Sequence, residues 1–278
     1  MELIGLPAIS ELLTVCEQAA RAGGAVLLDW AERFSVREKG PADLVTDADL
    51  ASQEAVRRVV LGDFPDHDFL SEEDVPGDKV AAAASSSLQP TAHSLRWICD
   101  PLDGTTNYVH RVPEFAVSLA VERGGELLAG CVFNPVTGEC FTGSRGGGAF
   151  LNDRPIRASV VERLDQALVA VSFPPKVLPD SRVLREFGQV TTRAQAIRRT
   201  GSAALNLCYV AAGRFDAYFA RETKTWDVAA GWLLIQEAGG LVTDINGGPC
   251  HLDNPRFIAA GSEALRQEIQ AILSPDAG

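Results

Sequence analysis

The segment 115–151 constrains the fold most. Runs 115–121 and 126–133 are rich in apolar and β-branched residues and are joined by Gly124-Gly125; runs 140–142 and 148–151 repeat the pattern around glycines 146–148. Glycines between two such runs supply the positive-φ turn of a hairpin, so the spacing predicts an antiparallel meander. After about residue 160 the grammar changes. Strands are expected at 167–172, 216–219, 241–243 and 257–260, alternating with helices at 201–213, 227–238 and 262–273. Strands alternating with helices indicate a layered α/β arrangement. The expectation is an α+β N-terminal part over 1–155 and an α/β C-terminal part over 156–278, stacked as an αβαβα sandwich. The C-terminal part would contribute Asp227 and the substrate-side surface.

Upstream, Ile9, Leu12, Leu13, Cys16 and Ala20 recur at helical spacing, predicting a helix over 9–33 in which Gly23 and Gly24 mark close packing or a bend. A second amphipathic helix, 47–62, would turn Leu50, Val56, Val59 and Val60 inward. Short strands follow at 66–70 and 96–99. Between them, 75–94 is rich in Ala, Ser and Pro without periodicity and reads as a surface insertion.

The formal net charge is -12. Such a surface repels nucleic acid and anionic lipid, so neither is an expected partner. The first residues carry no basic leader pattern, and no stretch offers about 18 apolar residues in a row, so no membrane span is expected. Six cysteines are scattered without a C-x-x-C pair, as in the reducing cytoplasm, and four scattered histidines offer no zinc site. An anionic ligand approaching so acidic a protein needs bound cations.

Four acidic clusters stand out: Asp43 with Asp47 and Asp49; Glu72, Glu73 and Asp74; Asp100 and Asp103 within DPLDGTTN; and Asp227 in WDVAAG. Asp100 follows the apolar strand RWIC, Pro101 cannot extend a ladder, and Asp103-Gly104 makes a tight turn. Two carboxylates around that turn, with the Leu102 carbonyl between them, form an oxygen-only set suited to magnesium. Gly104, Thr105 and Thr106 then offer main-chain N–H groups to a phosphate oxygen. Taken singly, each cluster has a plainer reading. Asp227 would be the N-cap of the helix it precedes, Glu72–Asp74 a solvated charge run, and Asp47 and Asp49 partners of a helix dipole.

Together and in this order, the segments KGPADLVTDAD (39–49), FLSEED (69–74), WICDPLDGTTNYVH (97–110), TGSAALNLCYVAAGRFDAY (200–218) and WDVAAGWLLIQEAGG (226–240) resemble the inositol monophosphatase family, lithium-sensitive and magnesium-dependent phosphatases. The resemblance spans nearly the whole chain outside 75–94. It implies metal ligation by Glu72, Asp100, the Leu102 carbonyl, Asp103 and Asp227, with two to three Mg2+ ions. It implies that Asp49 and Thr105 activate the attacking water, with Glu72 also catalytic. It assigns substrate contacts to Asp103, Gly104, Thr105, Thr106, Gly201, Ser202, Ala203 and Asp227. Lys39 matches a lysine of the family's N-terminal loop. Hydrolysis of a small phosphorylated substrate by a cytoplasmic homodimer is the implied activity.

The chain departs from the pattern at one place. The family's sugar-contacting glutamate lies seven residues before the W-D aspartate, and here that position is Ala220, with Glu222 two residues on. Inositol 1-phosphate is the leading substrate. Histidinol phosphate, fructose 1,6-bisphosphate, adenosine 3′,5′-bisphosphate and NADP are the alternatives, and a non-catalytic metal- and phosphate-binding protein is the alternative of another class. Arg198 would contact substrate or a neighbouring subunit, or stay solvated. Trp97, Cys99 and Trp226 read as packing around the site and His110 as a polar contact.

Overall fold

The hairpin glycines act as their spacing predicts. Gly124 and Gly125 have φ of 59° and 84°, the left-handed pair of a two-residue turn, and join β5 (Ala116–Arg123) to β6 (Glu126–Asn134). The computed structural model in which they are seen describes residues 7–40, 43–74, 94–174 and 176–274, without the side chains of 38–40 and 43. The expected insertion, apart from Ser94, and the Lys39 side chain lie outside the described residues.

The meander continues through β7 (Glu139–Ser144), β8 (Gly148–Leu151) and β9 (Arg154–Pro155). On its other side β5 pairs with β4 (Leu95–Asp103), which runs parallel to β3 (Asp68–Ser71). The seven strands lie in chain order, β3 to β9. Strand β4 corrects one expectation: it continues through Pro101 to Asp103. The ladder shifts register between Asp100 and Asp103, and a bulge of this kind tolerates a proline that has no N–H to donate. A small hairpin of β1 (Val36–Gly40) and β2 (Asp43–Thr46) precedes the sheet. Its polar sequence has no apolar alternation to announce it.

A second sheet holds β10 (Leu168–Val171), β11 (Ala196–Arg198), β12 (Ala217–Ala220), β13 (Leu241–Asp244) and β14 (Phe257–Ala260), in the order β11-β10-β12-β14-β13. Strand β10 is parallel to both neighbours, and the β12, β14 and β13 pairings are antiparallel.

The helices are α1 (Ile9–Trp30), α2 (Asp47–Asp63), α3 (Thr105–Val109), α4 (Arg182–Thr191), α5 (Ala203–Ala211), α6 (Thr225–Glu237) and α7 (Glu263–Leu273). Their burial patterns dictate the layers. All nine residues of α5 are buried, and α6 is buried from Val228 through Ile235. A helix apolar all round must be covered on every side, and both lie between the two sheets. By contrast α1 buries one stripe, Leu12, Val15, Cys16, Ala19, Ala20 and Leu27, and with α2 covers the outer face of the seven-stranded sheet. Helices α4 and α7 cover the outer face of the other sheet through Val190, Leu265, Ile269 and Ile272. The order is helices, sheet, helices, sheet, helices, the expected αβαβα sandwich. Each fully buried large apolar side chain contributes about 1.5–3 kcal/mol to holding the layers together.

Helix α1 ends at Trp30, short of the expected 33. The helix runs unbroken through Gly23 and Gly24; a Cβ at Gly23 would sit 2.8 Å from Ser52 Oγ and one at Gly24 2.7 Å from the Phe133 ring, so both permit close packing. The inward face of α2 also differs from expectation. Leu50 is 44% exposed, and the buried face carries Ala48, Asp49, Ser52, Val56 and Val60. Two of these are polar because they bond to the next motif: Ser52 Oγ donates to the Pro101 carbonyl at 2.8 Å. Helix α4 and strand β11 were not expected; α4 does carry the helical spacing, with Val183, Leu184, Phe187 and Val190 on one side, whereas β11 has only three residues. Among the described residues no helix is long and apolar enough to cross a membrane.

Candidate active site

Strand ends gather the acidic motifs. Because β3 and β4 are parallel, with Ser71 opposite Cys99, the end of β3 lies beside the start of the Asp100–Asp103 segment of β4. Glu72 opens the 3₁₀ turn Glu72–Asp74 directly after β3, while Asp100 and Asp103 occupy the bulged end of β4. Asp227 arrives from the first turn of α6, which packs against β4 and β5.

Electrostatics tie the four together. Asp100 and Asp103 are buried. Burial lifts the Asp100 carboxyl well above the usual carboxylate range, and the charges of Glu72, Asp103 and Asp227 lift it further against one stabilising N–H from Leu102. Burial likewise raises Asp227, assisted by Asp103 and Glu72. Asp103 is pushed up to about 6 by burial, with Ser202 and the Ala203 and Ala204 amides opposing the rise. Mutual elevation of this kind marks carboxylates that share one low-dielectric field.

Each aspartate also has fixed donors. Leu102 N donates to Asp100 Oδ1 at 3.0 Å, and Lys224 N to Asp227 Oδ2 at 2.8 Å. Asp103 accepts the Ser202 hydroxyl, the Ala203 amide at 3.2 Å and the Ala204 amide at 2.9 Å, all at the start of α5. Asp227 is therefore not the N-cap expected of it. Lys224 holds that position, and Asp227 reaches back to its N–H as the acidic half of a capping box does. Among the described residues no three His, Cys, Asp or Glu side chains stand close enough to enclose one cation. The carboxylates share a neighbourhood, and three of them turn toward main-chain amides. As a donor set they fit a hard divalent ion: every donor is oxygen, and the mutual repulsion that neutralises them is relieved by positive charge. The Leu102 carbonyl accepts from Thr105 Oγ1 at 3.1 Å.

Beside the acids lies a hydroxyl–carboxylate chain. Asp49, buried on α2, accepts the Thr46 amide at 2.8 Å and the Thr46 hydroxyl at 2.6 Å on Oδ2. Its Oδ1 accepts the Thr105 hydroxyl at 3.3 Å. Thr105 has one proton for Asp49 and Leu102, so it serves one at a time and keeps lone pairs to accept from a third group.

The remaining predicted residues form two loops stapled to each other. Gly104 has φ of 95° and precedes α3; an added Cβ would meet the Glu114 carbonyl at 2.9 Å. Thr105 and Thr106 open α3, where N–H groups lack intrahelical partners, and Thr106 is exposed. Asn107 Nδ2 donates to the Glu114 and Thr200 carbonyls at 2.6 and 2.9 Å, joining this loop to Gly201, Ser202 and Ala203. Ser202 Oγ in turn accepts from Leu205 N at 3.1 Å and caps α5. Arg198 is exposed, its Nη1 donating to the Ile197 carbonyl. Trp97, Cys99 and Trp226 are buried packing residues, and His110 is exposed at the end of α3.

Thr46, Ser52 and Asn107 went unmarked in the sequence. Thr46 was findable, because Thr-x-x-Asp before an apolar run is a capping-box pattern; Ser52 and Asn107 act through contacts distant in sequence.

The model of the inositol monophosphatase family matches residues 8–275. An inositol-1-monophosphatase of Rhizobium meliloti (strain 1021) is 41% identical over 268 residues, covering 94% of this chain and 97% of the relative. The chain belongs to the inositol monophosphatase family. Also similar are the Nus factor SuhB of Pasteurella multocida (strain Pm70), 37% identical over 278 residues and covering 96% of this chain and 99% of the relative, and the structure of inositol monophosphatase from Anabaena (Nostoc) sp. PCC 7120, with a TM-score of 0.81, 33% identity, and coverage of 97% of this chain and 98% of that one. Membership of the inositol monophosphatase family makes the chain a phosphatase of phosphate monoesters. Ala220, where the family resemblance expects a glutamate, is buried at the end of β12 against the helices between the sheets. Glu222 is exposed.

Proposed function

We propose that the chain hydrolyses a small phosphate monoester of the inositol 1-phosphate type, with Mg2+ as cofactor. The observation that carries this reading is the shared field of Glu72, Asp100, Asp103 and Asp227 beside the Asp49–Thr105 hydrogen bond. Glu72, Asp100, Asp103, Asp227 and the Leu102 carbonyl would hold the metal. Bound Mg2+ supplies a water of lowered pKa and charge to neutralise the phosphate. Thr105 accepts a proton from the attacking water while donating its own to Asp49, which Thr46 holds in place. The amides of Gly104, Thr105 and Thr106 orient the phosphate, and Gly201, Ser202 and Ala203 border the rest of the substrate. No covalent intermediate is required, since phosphoryl transfer needs mainly positioning and charge stabilisation. The net charge of -12 supports a small substrate over a polyanionic partner. Sensitivity to Li+, two to three bound Mg2+ ions and a cytoplasmic homodimer belong to the same reading and rest on family resemblance.

Phosphate release from inositol 1-phosphate, histidinol phosphate, fructose 1,6-bisphosphate, adenosine 3′,5′-bisphosphate and NADP, with Mg2+ and with chelator, tests it. Expected is Mg2+-dependent release, fastest from inositol 1-phosphate. Equal rates with chelator would remove the metal from the reading, and a faster alternative ester would replace the substrate.

A further inference from the structure

The connection that delivers Asp227 is anchored from outside the site. Residues 221–224 join β12 to α6. Along β12 side chains alternate between faces: Tyr218 and Ala220 face the helices between the sheets, while Ala217 and Phe219 face α4 and α7. Arg221 continues that alternation outward. Its Nε donates to Glu186 Oε2 at 2.6 Å, its Nη2 donates to Glu186 Oε1, and Nη2 also reaches the Leu273 carbonyl at the end of α7 at 2.8 Å. Glu186, on α4, has a side chain only 6% exposed. Arg182 Nε donates to the same carboxylate at 2.6 Å, and Arg182 Nη2 to the Leu273 carbonyl at 2.5 Å. Two guanidiniums, one buried carboxylate and a helix C-terminus thus form a fork-on-fork clamp, the geometry in which an arginine fixes position most sharply.

Only one of the two arginines touches the path to the site. Arg182 lies within α4, so its loss leaves Glu186 paired with Arg221 and the connection intact. Arg221 begins the four-residue link whose last member, Lys224, gives its N–H to Asp227. The link is held further on by Thr223 Oγ1 on the Pro255 carbonyl and Thr225 Oγ1 on the Leu252 carbonyl, both at 2.8 Å. Its start, next to the substrate-side Ala220, depends on Arg221.

We infer that Arg221 is a positioning residue for the metal and substrate side of the site, acting through the 221–224 connection and Asp227. This rests on the proposed role of Asp227 in holding Mg2+. Freeing the connection lets the first turn of α6 shift, and Asp227 loses its fixed place relative to Asp100 and Asp103.

The test compares Arg221→Ala, Arg221→Lys and Arg182→Ala in the full chain, using calorimetric Mg2+ titration, thermal melting, and kcat and KM for inositol 1-phosphate. Expected for Arg221→Ala is Mg2+ affinity and KM each worsened about tenfold, the low end of what supporting contacts around metal ligands cost, with a smaller change in kcat at saturating Mg2+. Arg221→Lys, which keeps the charge without the fork and preserves the fold, should fall between. Arg182→Ala should lower the melting temperature and leave Mg2+ affinity and KM at wild-type values. Unchanged Mg2+ affinity and KM in both Arg221 variants overturn the inference, as does an equal loss in Arg182→Ala. A wild-type protein that binds no Mg2+ overturns the metal reading and the inference with it.

Discussion

Ser202 donates its hydroxyl to the carboxylate of Asp103, joining the start of α5 to the bulged end of β4 across the interior of the molecule. The same oxygen accepts from Leu205 N and caps α5. One side chain therefore serves both a helix end and the acidic site. Ser202→Ala removes the cap and one of the three donors on Asp103. Loss of the cap should cost about 1 kcal/mol, up to 2 where the lost partner is charged. Urea unfolding measures that loss, and kcat/KM should fall by about tenfold as the Asp103 carboxylate loosens. Full activity in a destabilised Ser202→Ala protein would confine the residue to capping.

Gly201 and Gly125 both have positive φ, 97° and 84°, but their surroundings differ. A Cβ at Gly201 would stand 2.7 Å from Asn107 Nδ2, whereas one at Gly125 meets nothing within 4 Å. Gly125→Ala should cost only the backbone strain, roughly 1–2 kcal/mol. Gly201→Ala should cost more and also lower activity, because it displaces the staple from Asn107 to Thr200. Paired measurements of melting temperature and kcat/KM decide it; equal effects of the two substitutions would contradict the staple.

The glycine turns, the acidic motifs and the layered order were legible because each depends on local chemistry. A positive φ needs glycine, and a helix apolar on every side needs two covers. What stayed hidden depends on partners distant in sequence. The α2 periodicity turned Leu50 inward, yet the face was decided by Ser52 reaching Pro101 and Asp49 reaching Thr105. Asp227 looked like an N-cap because the true N-cap, Lys224, has no capping side chain. The strand break expected at Pro101 failed because a bulge absorbed it. Candidate ligands were readable as residue types; that Asp103 would also face the start of α5 was not.

Asp49 and Thr105 make a separable prediction. Asp49→Asn keeps the shape; with its amide oxygen on Thr46 its NH2 faces Thr105 and cannot take the proton, so kcat should fall by about 10²–10⁴ with little change in KM. Thr105→Val should do the same, since it cuts the relay at the hydroxyl. Circular dichroism would check folding. A kcat within about twofold of wild type in folded Asp49→Asn excludes the relay.

The acid cluster sets a pH dependence for the metal-free protein. Unfolded aspartates titrate near about 3.9, whereas folded Asp103 is raised to about 6 and Asp100 and Asp227 lie well above the usual range. The folded chain thus binds more protons than the unfolded chain in that interval. Their contribution to stability is full below the unfolded value and is lost as pH rises through the folded values. Bound Mg2+ offsets the repulsion, so the gain in melting temperature on adding Mg2+ should grow from about pH 4.5 to about pH 7. A gain that stays level across this interval contradicts shared burial of the carboxylates.

The most direct test is a crystal structure of the protein with Mn2+ in place of Mg2+, read by anomalous scattering. Strong peaks are predicted among Glu72, Asp100, Asp103 and Asp227, with Asp227 and Asp100 turned toward them. A saturated crystal whose anomalous density lies elsewhere, with Asp100, Asp103 and Asp227 still on their amides, would contradict a metal-centred active site.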